Sequence, residues 1–250
     1  MFFPMMAAGD KTNNIQFLWI TLFGISMAFF ESSIVVYLRA LYYPEGFSFP
    51  LEIVDPQIGV TEFLRELFSL IMIISVALIA TKNFMQRFSN FLYIFAVWDI
   101  FYYIFLKLLL GWPASLMTWD ILFLVPVPWT GPVLTPVLIS LIMIMFALTI
   151  RYFNRLSGFR MFLEIREWLV LLAGALVVFV SFISDFVDYV FGYYTTRAES
   201  IEALFSNLES ITLSYTPQEF NWWIYTLGVL LLLLSLSMIY RRNKKLYIKD

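Results

Sequence analysis

The stretch FSNFLYIFAVWDIFYYIFLKLLLG, residues 88–111, decides how this chain is to be read. It is apolar and aromatic almost throughout, and its only charged residues are Asp99 and Lys107. A helix of this length, rising roughly 1.5 Å per residue, crosses a hydrocarbon layer about 30 Å thick. Five runs of the same character surround it, over residues 15–40, 62–81, 132–150, 168–190 and 217–240. Across its 250 residues the chain is 61% hydrophobic and 14% charged, with a mean hydropathy of +0.82. A water-soluble domain carries about a quarter charged residues. A chain this apolar cannot cover itself in water, so lipid is its solvent. The fold class that follows is all-α: a polytopic membrane bundle of six transmembrane helices, forming a single transmembrane domain over residues 1–250.

Lysine and arginine set the orientation expected of such a bundle, because they accumulate in cytoplasmic segments. With the N-terminus cytoplasmic, the inner segments hold Lys11, Lys82, Arg87, Arg151, Arg155, Arg160 and Arg166, and the tail adds Arg241, Arg242, Lys244, Lys245 and Lys249. The outer segments 43–60 and 112–131 hold none, and Arg197 stands alone in the third. Every loop therefore agrees with both termini being cytoplasmic, which also requires an even number of spans. The first eleven residues lack the basic region and short apolar core of a secretory signal, so no cleavage is expected.

Three connecting segments carry further signals. Thr216-Pro217-Gln218-Glu219 has the pattern of a capping box with proline at the first helical position, which starts the sixth helix at Pro217. Ile201, Leu204, Phe205, Leu208 and Ile211 recur at helical spacing with glutamates between them, predicting a short amphipathic outer helix over about 198–213. The segment between the third and fourth helices begins Trp112-Pro113, runs apolar from Ala114 to Val125, and then meets Pro126, Pro128, Pro132 and Pro136. It is too short to span, and its prolines forbid a continuous helix. Two forms fit: a re-entrant half-helix, of the kind that marks sites in transporters, or an interfacial helix lying flat with Trp112, Trp119 and Trp129 as its belt. The echo of Trp98-Asp99-Ile100 in Trp119-Asp120-Ile121 is too short to count as a repeat.

Cysteine and histidine are absent. Disulfides, thiolate and Ser-His-Asp catalysis and His-ligated haem are thereby excluded. No cofactor or metal is expected, and chemistry is left to carboxylates, Lys, Tyr, Ser and the backbone. No basic run is interleaved with aromatics, so nucleic acid is not an expected partner. The expected partners are the lipid bilayer and, for a subunit, other membrane proteins.

Charges inside spans are costly and face the bundle interior. Here they gather toward the outer side. Glu31 lies in the outer part of the first helix and Arg39 near its outer end. Glu62, Arg65 and Glu66 open the second helix on one face. Asp99, Tyr103 and Lys107 follow at four-residue steps on the third, with Asp120 in the segment beyond and Asp185 and Asp188 at the outer end of the fifth. Asp99 is the deepest carboxylate. It reads either as a proton-accepting or cation-binding group, or as helix glue paired with a neighbouring cation. Lys107 is close enough to the boundary to snorkel. The cost of an unpaired charge predicts that Arg39 or Arg65 lies against at least one of Glu31, Glu62, Glu66 and Asp99. Glu164, Arg166 and Glu167 read as a solvated cytoplasmic cap.

Three functional classes fit these residues. The first is a carrier or channel for a proton, ion or small solute. The second is a membrane-embedded acid-base enzyme, of isomerase or cyclase type, acting on a lipid or isoprenoid. The third is a non-catalytic subunit of a larger membrane complex. A carrier requires a cavity that contains Asp99 and reaches one surface, an enzyme a lipid-sized apolar groove on which two carboxylates converge, and a subunit a dry interior with a large apolar or polar face free of lipid.

Overall fold

The computed structural model describes residues 8–52, 55–125, 127–156, 161–197 and 208–249. Six long helices dominate it: α1 (Ala8–Tyr42), α2 (Pro56–Ala80), α3 (Phe84–Leu110), α4 (Leu134–Arg155), α5 (Ile165–Arg197) and α7 (Trp222–Lys249). Each of the six contains a stretch long and apolar enough to cross a membrane. The chain is a multi-pass membrane protein. A short helix, α6 (Leu208–Leu213), precedes α7. It falls at the end of the expected amphipathic helix, whose residues 198–207 lie outside the described ones.

Local chemistry sets the helix ends. Asp55 accepts a hydrogen bond from the Gln57 amide at 2.8 Å, and Pro56 occupies the first turn, so α2 begins well before Glu62. Asn83 caps α3 by accepting from the Met85 amide at 2.9 Å. Gly111 ends α3 at φ +67°, a left-handed conformation open to glycine, and donates to the Lys107 carbonyl. The sixth long helix starts at Trp222 rather than at Pro217. The amides of Gln218 and Glu219 donate to the Asp185 carboxylate, at 3.2 and 3.1 Å, instead of entering a helix. Asn221 then accepts from the Ile224 amide in the capping position.

The segment between α3 and α4 is neither form of helix expected from its sequence. It is an antiparallel hairpin of β1 (Trp119–Phe123) and β2 (Trp129–Pro132), pairing Trp119 with Pro132, Asp120 with Gly131, Ile121 with Thr130 and Phe123 with Trp129. The register shifts between Ile121 and Phe123, as at a bulge. The proline-dense connection disfavours a helix but suits a turn, and the ladder satisfies backbone groups that an irregular chain would leave open. Trp129 anchors the hairpin to α5, stacked on Phe182 and 5.0 Å from Phe179 between ring centroids.

Two apolar cores result. Ile20, Met27 and Ala28 of α1 meet Ile73 and Ala77 of α2 and Ile94 and Trp98 of α3. The larger core joins α4, α5 and α7 through residues such as Phe146, Ile150, Val178, Phe182, Leu232 and Ile239. Its tightest seam is the α5–α7 crossing. A Cβ on Gly174 would sit 2.9 Å from the Leu232 nitrogen, and one on Gly228 would sit 2.7 Å from Val178 Cγ2. Small residues here let the backbones approach, as membrane helices do where no hydrophobic force drives them together. The termini of α1 and α7 mark one end of the bundle, called here the terminal end. The other, where α1 finishes and α2 begins, is the hairpin end.

Candidate functional site

The site is built where α1, α2, α3 and the hairpin converge. Arg65 is its centre. Its guanidinium contacts the Glu31 carboxylate from α1, lies 2.8 Å from Glu62 Oε2 on its own helix, and is 3.8 Å from Glu66 Oε1. The three- and four-residue spacing on α2 puts Glu62, Arg65 and Glu66 on one face, and Glu31 is brought to them by α1. Ser69, one turn further along α2, donates to Glu31 Oε2 at 3.5 Å. Glu66 also accepts the Leu124 backbone N–H at 2.7 Å, which ties the hairpin to α2.

A second charged group lies toward the hairpin end. Arg39 Nη2 is 3.6 Å from Asp120 Oδ1, and the Tyr103 hydroxyl donates to Asp120 Oδ2 at 3.1 Å. The Arg39 guanidinium also sits 3.8 Å from the centre of the Trp112 ring and 4.6 Å from that of Phe47. A planar guanidinium can stack on rings while pairing at its edge, which an ammonium cannot.

Asp99 joins neither arginine. The Ser140 hydroxyl on α4 donates to Asp99 Oδ2 at 2.8 Å. Asp99 instead lines a cavity of about 370 Å³ shared with Glu31, Arg65, Glu66 and Ser140. The rest of its wall is mainly apolar and aromatic, including Phe95, Trp98, Phe123, Trp129 and Phe182. Neither the Trp98 nor the Trp129 indole N–H, both buried, has an acceptor among the described residues. A volume of 300–1,000 Å³ with few polar groups among apolar ones is the usual character of a small-molecule site.

The structure thus sorts the sequence candidates. Glu31, Arg65, Glu66 and Asp99 meet at the cavity, with Glu62 held behind Arg65. Tyr103 lines the cavity too, and links it to Asp120 and Arg39. Lys107 stands apart: its ammonium donates to the carbonyls of Gly111 and Pro113, at 2.9 and 2.8 Å, closing the end of α3. The carboxylates Glu31, Glu62, Glu66, Asp99 and Asp120 outnumber the two guanidiniums, Arg39 and Arg65. Among the described residues no group of carboxylates is arranged to hold a metal ion.

Sequence reasoning passed over Ser140, Tyr102, Trp98 and Trp129, all of which line the cavity. A lone serine in an apolar helix and tryptophans in a membrane protein carry no distinguishing local signal. The reading of Glu167 is corrected. It is 2% exposed rather than solvated, and its Oε1 accepts from Arg242 Nε at 2.8 Å, across from α7. Only its neighbours Glu164 and Arg166 face outward. Asp185 ties the loop before α7 to α5, because its carboxylate accepts from the Tyr215 hydroxyl at 2.5 Å and from the two loop amides. Burial and that carboxylate hold the Tyr215 phenol above its ordinary range. The chain matches no protein-family model, no curated protein and no solved structure.

Proposed function

We propose that this protein is a carrier that binds a small, largely apolar solute in the Asp99 cavity and moves protons on the carboxylates there, with or without that solute. One observation carries the reading: an aromatic-walled cavity of about 370 Å³ holds Glu31, Glu66 and Asp99 beside a single guanidinium. Carboxylates in excess of cations in a low-dielectric site are stable only if some take up protons or a cation. A purely packing role for the charges would leave no reason for the space. The hairpin then acts as a re-entrant wall. Its support is the packing of Trp129, stacked on Phe182 and edge-on to Phe179, close to the middle of α5. The carrier's termini are cytoplasmic, on the distribution of Lys and Arg.

The test is proton flux into vesicles that hold the purified protein and a trapped pH-sensitive dye, with the membrane potential clamped. An imposed pH step will acidify them faster than protein-free vesicles. Asp99→Asn keeps the shape of the carboxylate but cannot release a proton. It will abolish the added flux while the protein melts nearly as the wild type does. Equal rates with and without protein overturn the reading. Orientation is tested separately, since a chain without cysteine accepts single labels cleanly. Cysteine in place of Ser48 will react with an impermeant thiol reagent from outside the cell, and cysteine in place of Lys82 will not; reaction of both from one side refutes the topology.

A second reading rests on a different feature of the same cavity. Rings that line a site stabilise a cation by their faces, and a protonated carboxylic acid beside them can supply the proton that creates one. That is the equipment of an acid-base enzyme on an isoprenoid or other lipid. Product formation from an added isoprenoid lipid, without proton flux, would select it.

A further inference from the structure

A second, smaller pocket lies at the terminal end, away from the Asp99 cavity. It measures about 30 Å³ and is lined by Gln16 of α1, Gln86 and Asn90 of α3, and Arg151, Asn154 and Arg155 of α4, together with nearby hydroxyls. Among the described residues no carboxylate lines it. Its volume admits about two water-sized groups, or the leading oxygens of a tetrahedral anion presented at its mouth.

The lining is arranged, not merely polar. Arg151 and Arg155 are one turn apart and share a face of α4. Arg155 is held by the Asn14 side chain, and Arg151 lies over the Phe17 ring at 4.1 Å. Gln86 is oriented by Thr81, whose hydroxyl donates to Gln86 Oε1 at 2.5 Å, so its amide N–H groups are left available. The independent observation is Asn90. It is 8% exposed, lines the pocket, and no described residue hydrogen-bonds its amide. Its side chain opens onto the pocket, so an acceptor brought there meets an amide donor that no described residue engages. The first turns of α3 add the positive end of a helix dipole. Lys82 and Arg87 stand close by in sequence at the same end.

We propose that this pocket binds a phosphate group, its oxygens taken by the Arg155 guanidinium and the Asn90 and Gln86 amides, with Arg151 adding its charge to the wall. Guanidiniums and amides match phosphate in charge and in donor geometry. Two sources present that chemistry: the headgroup of an anionic phospholipid, and free phosphate from solution. The pocket lies near the terminal ends of the spans that line it, where lipid headgroups would reach it.

The test uses the full-length protein in maltoside micelles, which contain no phosphate. Melting is followed by tryptophan fluorescence while inorganic phosphate or phosphatidylglycerol is added, with sodium chloride at equal ionic strength as the reference. At least one of the two will raise the melting temperature beyond the chloride reference. A response to phosphatidylglycerol alone assigns the site to lipid, and a response to inorganic phosphate shows that the free ion suffices. Asn90→Asp places a negative charge in the pocket at nearly constant shape, and Arg155→Gln removes a cation from an exposed position. Each will weaken the apparent affinity by about tenfold or more, as expected for hydrogen bonds to a charged group. Should Asn90→Asp not fold, Arg155→Gln decides alone. No stabilisation by either probe, or variants that respond as the wild type does, overturns the proposal.

Discussion

Two arginine-centred clusters sit at opposite ends of this bundle, and they differ in what surrounds them. Arg242 at the terminal end pairs with the fully buried Glu167 at 2.8 and 2.9 Å, donates to the Phe162 carbonyl, lies over the Phe162 ring, and has Glu164 at 3.6 Å. None of the cavities described above touches it. Arg65, toward the hairpin end, faces three carboxylates and borders a cavity that contains a fourth, Asp99. The first joins α5 to α7 and borders neither cavity, although one buried nitrogen of its guanidinium, Nη1, has no acceptor among the described residues. The second is left unbalanced beside open space. An intramembrane ion pair is therefore not by itself a sign of function; imbalance next to a cavity is the more telling feature.

The contrast is broken or sharpened by removing one cation at a time. Arg242→Met will strand the Glu167 carboxylate in a dry contact, at roughly 3–5 kcal/mol. Arg65→Met, measured beside it by thermal melting in detergent, will cost clearly less, because Glu31 and Glu66 reach a cavity and can be neutralised by protons from water. Equal losses from the two would mean that both clusters are glue. Arg39→Lys comes next. It keeps the charge facing Asp120 but gives up the stacking on Trp112 and Phe47, for a loss of about 1 kcal/mol in the same melts. Lys107→Met will change stability least, by under about 0.5 kcal/mol, because its ammonium is exposed and bound to backbone carbonyls alone. A loss of flux in Lys107→Met would return Lys107 to the site.

The spans were legible because lipid imposes one dominant rule, and runs such as 88–111 obey it in composition alone. The cluster was legible in part for the same reason: Glu31, Arg65, Glu66 and Asp99 are conspicuous in an apolar background. Their pairing was not, because which helix faces which is decided by packing. Arg65 rather than Arg39 takes Glu31, and Asp99 takes a serine from α4. The hairpin was missed because periodicity in a short apolar run does not separate strand from helix. Its alternation shows only in the fold, where Asp120 is buried against Arg39 and Tyr103. Glu167 was misread because its partner lies 75 residues away on α7.

The glycine seam between α5 and α7 has a mechanical consequence. Backbones pressed together at Gly174 and Gly228 have no side-chain layer on which to slide, so this pair acts as the stator of the molecule. By contrast, α2 buries only a single stripe, Glu66, Ser69, Ile73 and Ala77. A swing of α2 gives up little packing, and its resistance comes chiefly from the ionic clasp at Arg65. If the protein is the carrier proposed above, the torque needed to open the cavity is set by the protonation of a few carboxylates, and the charged cluster would serve as latch as well as binding surface.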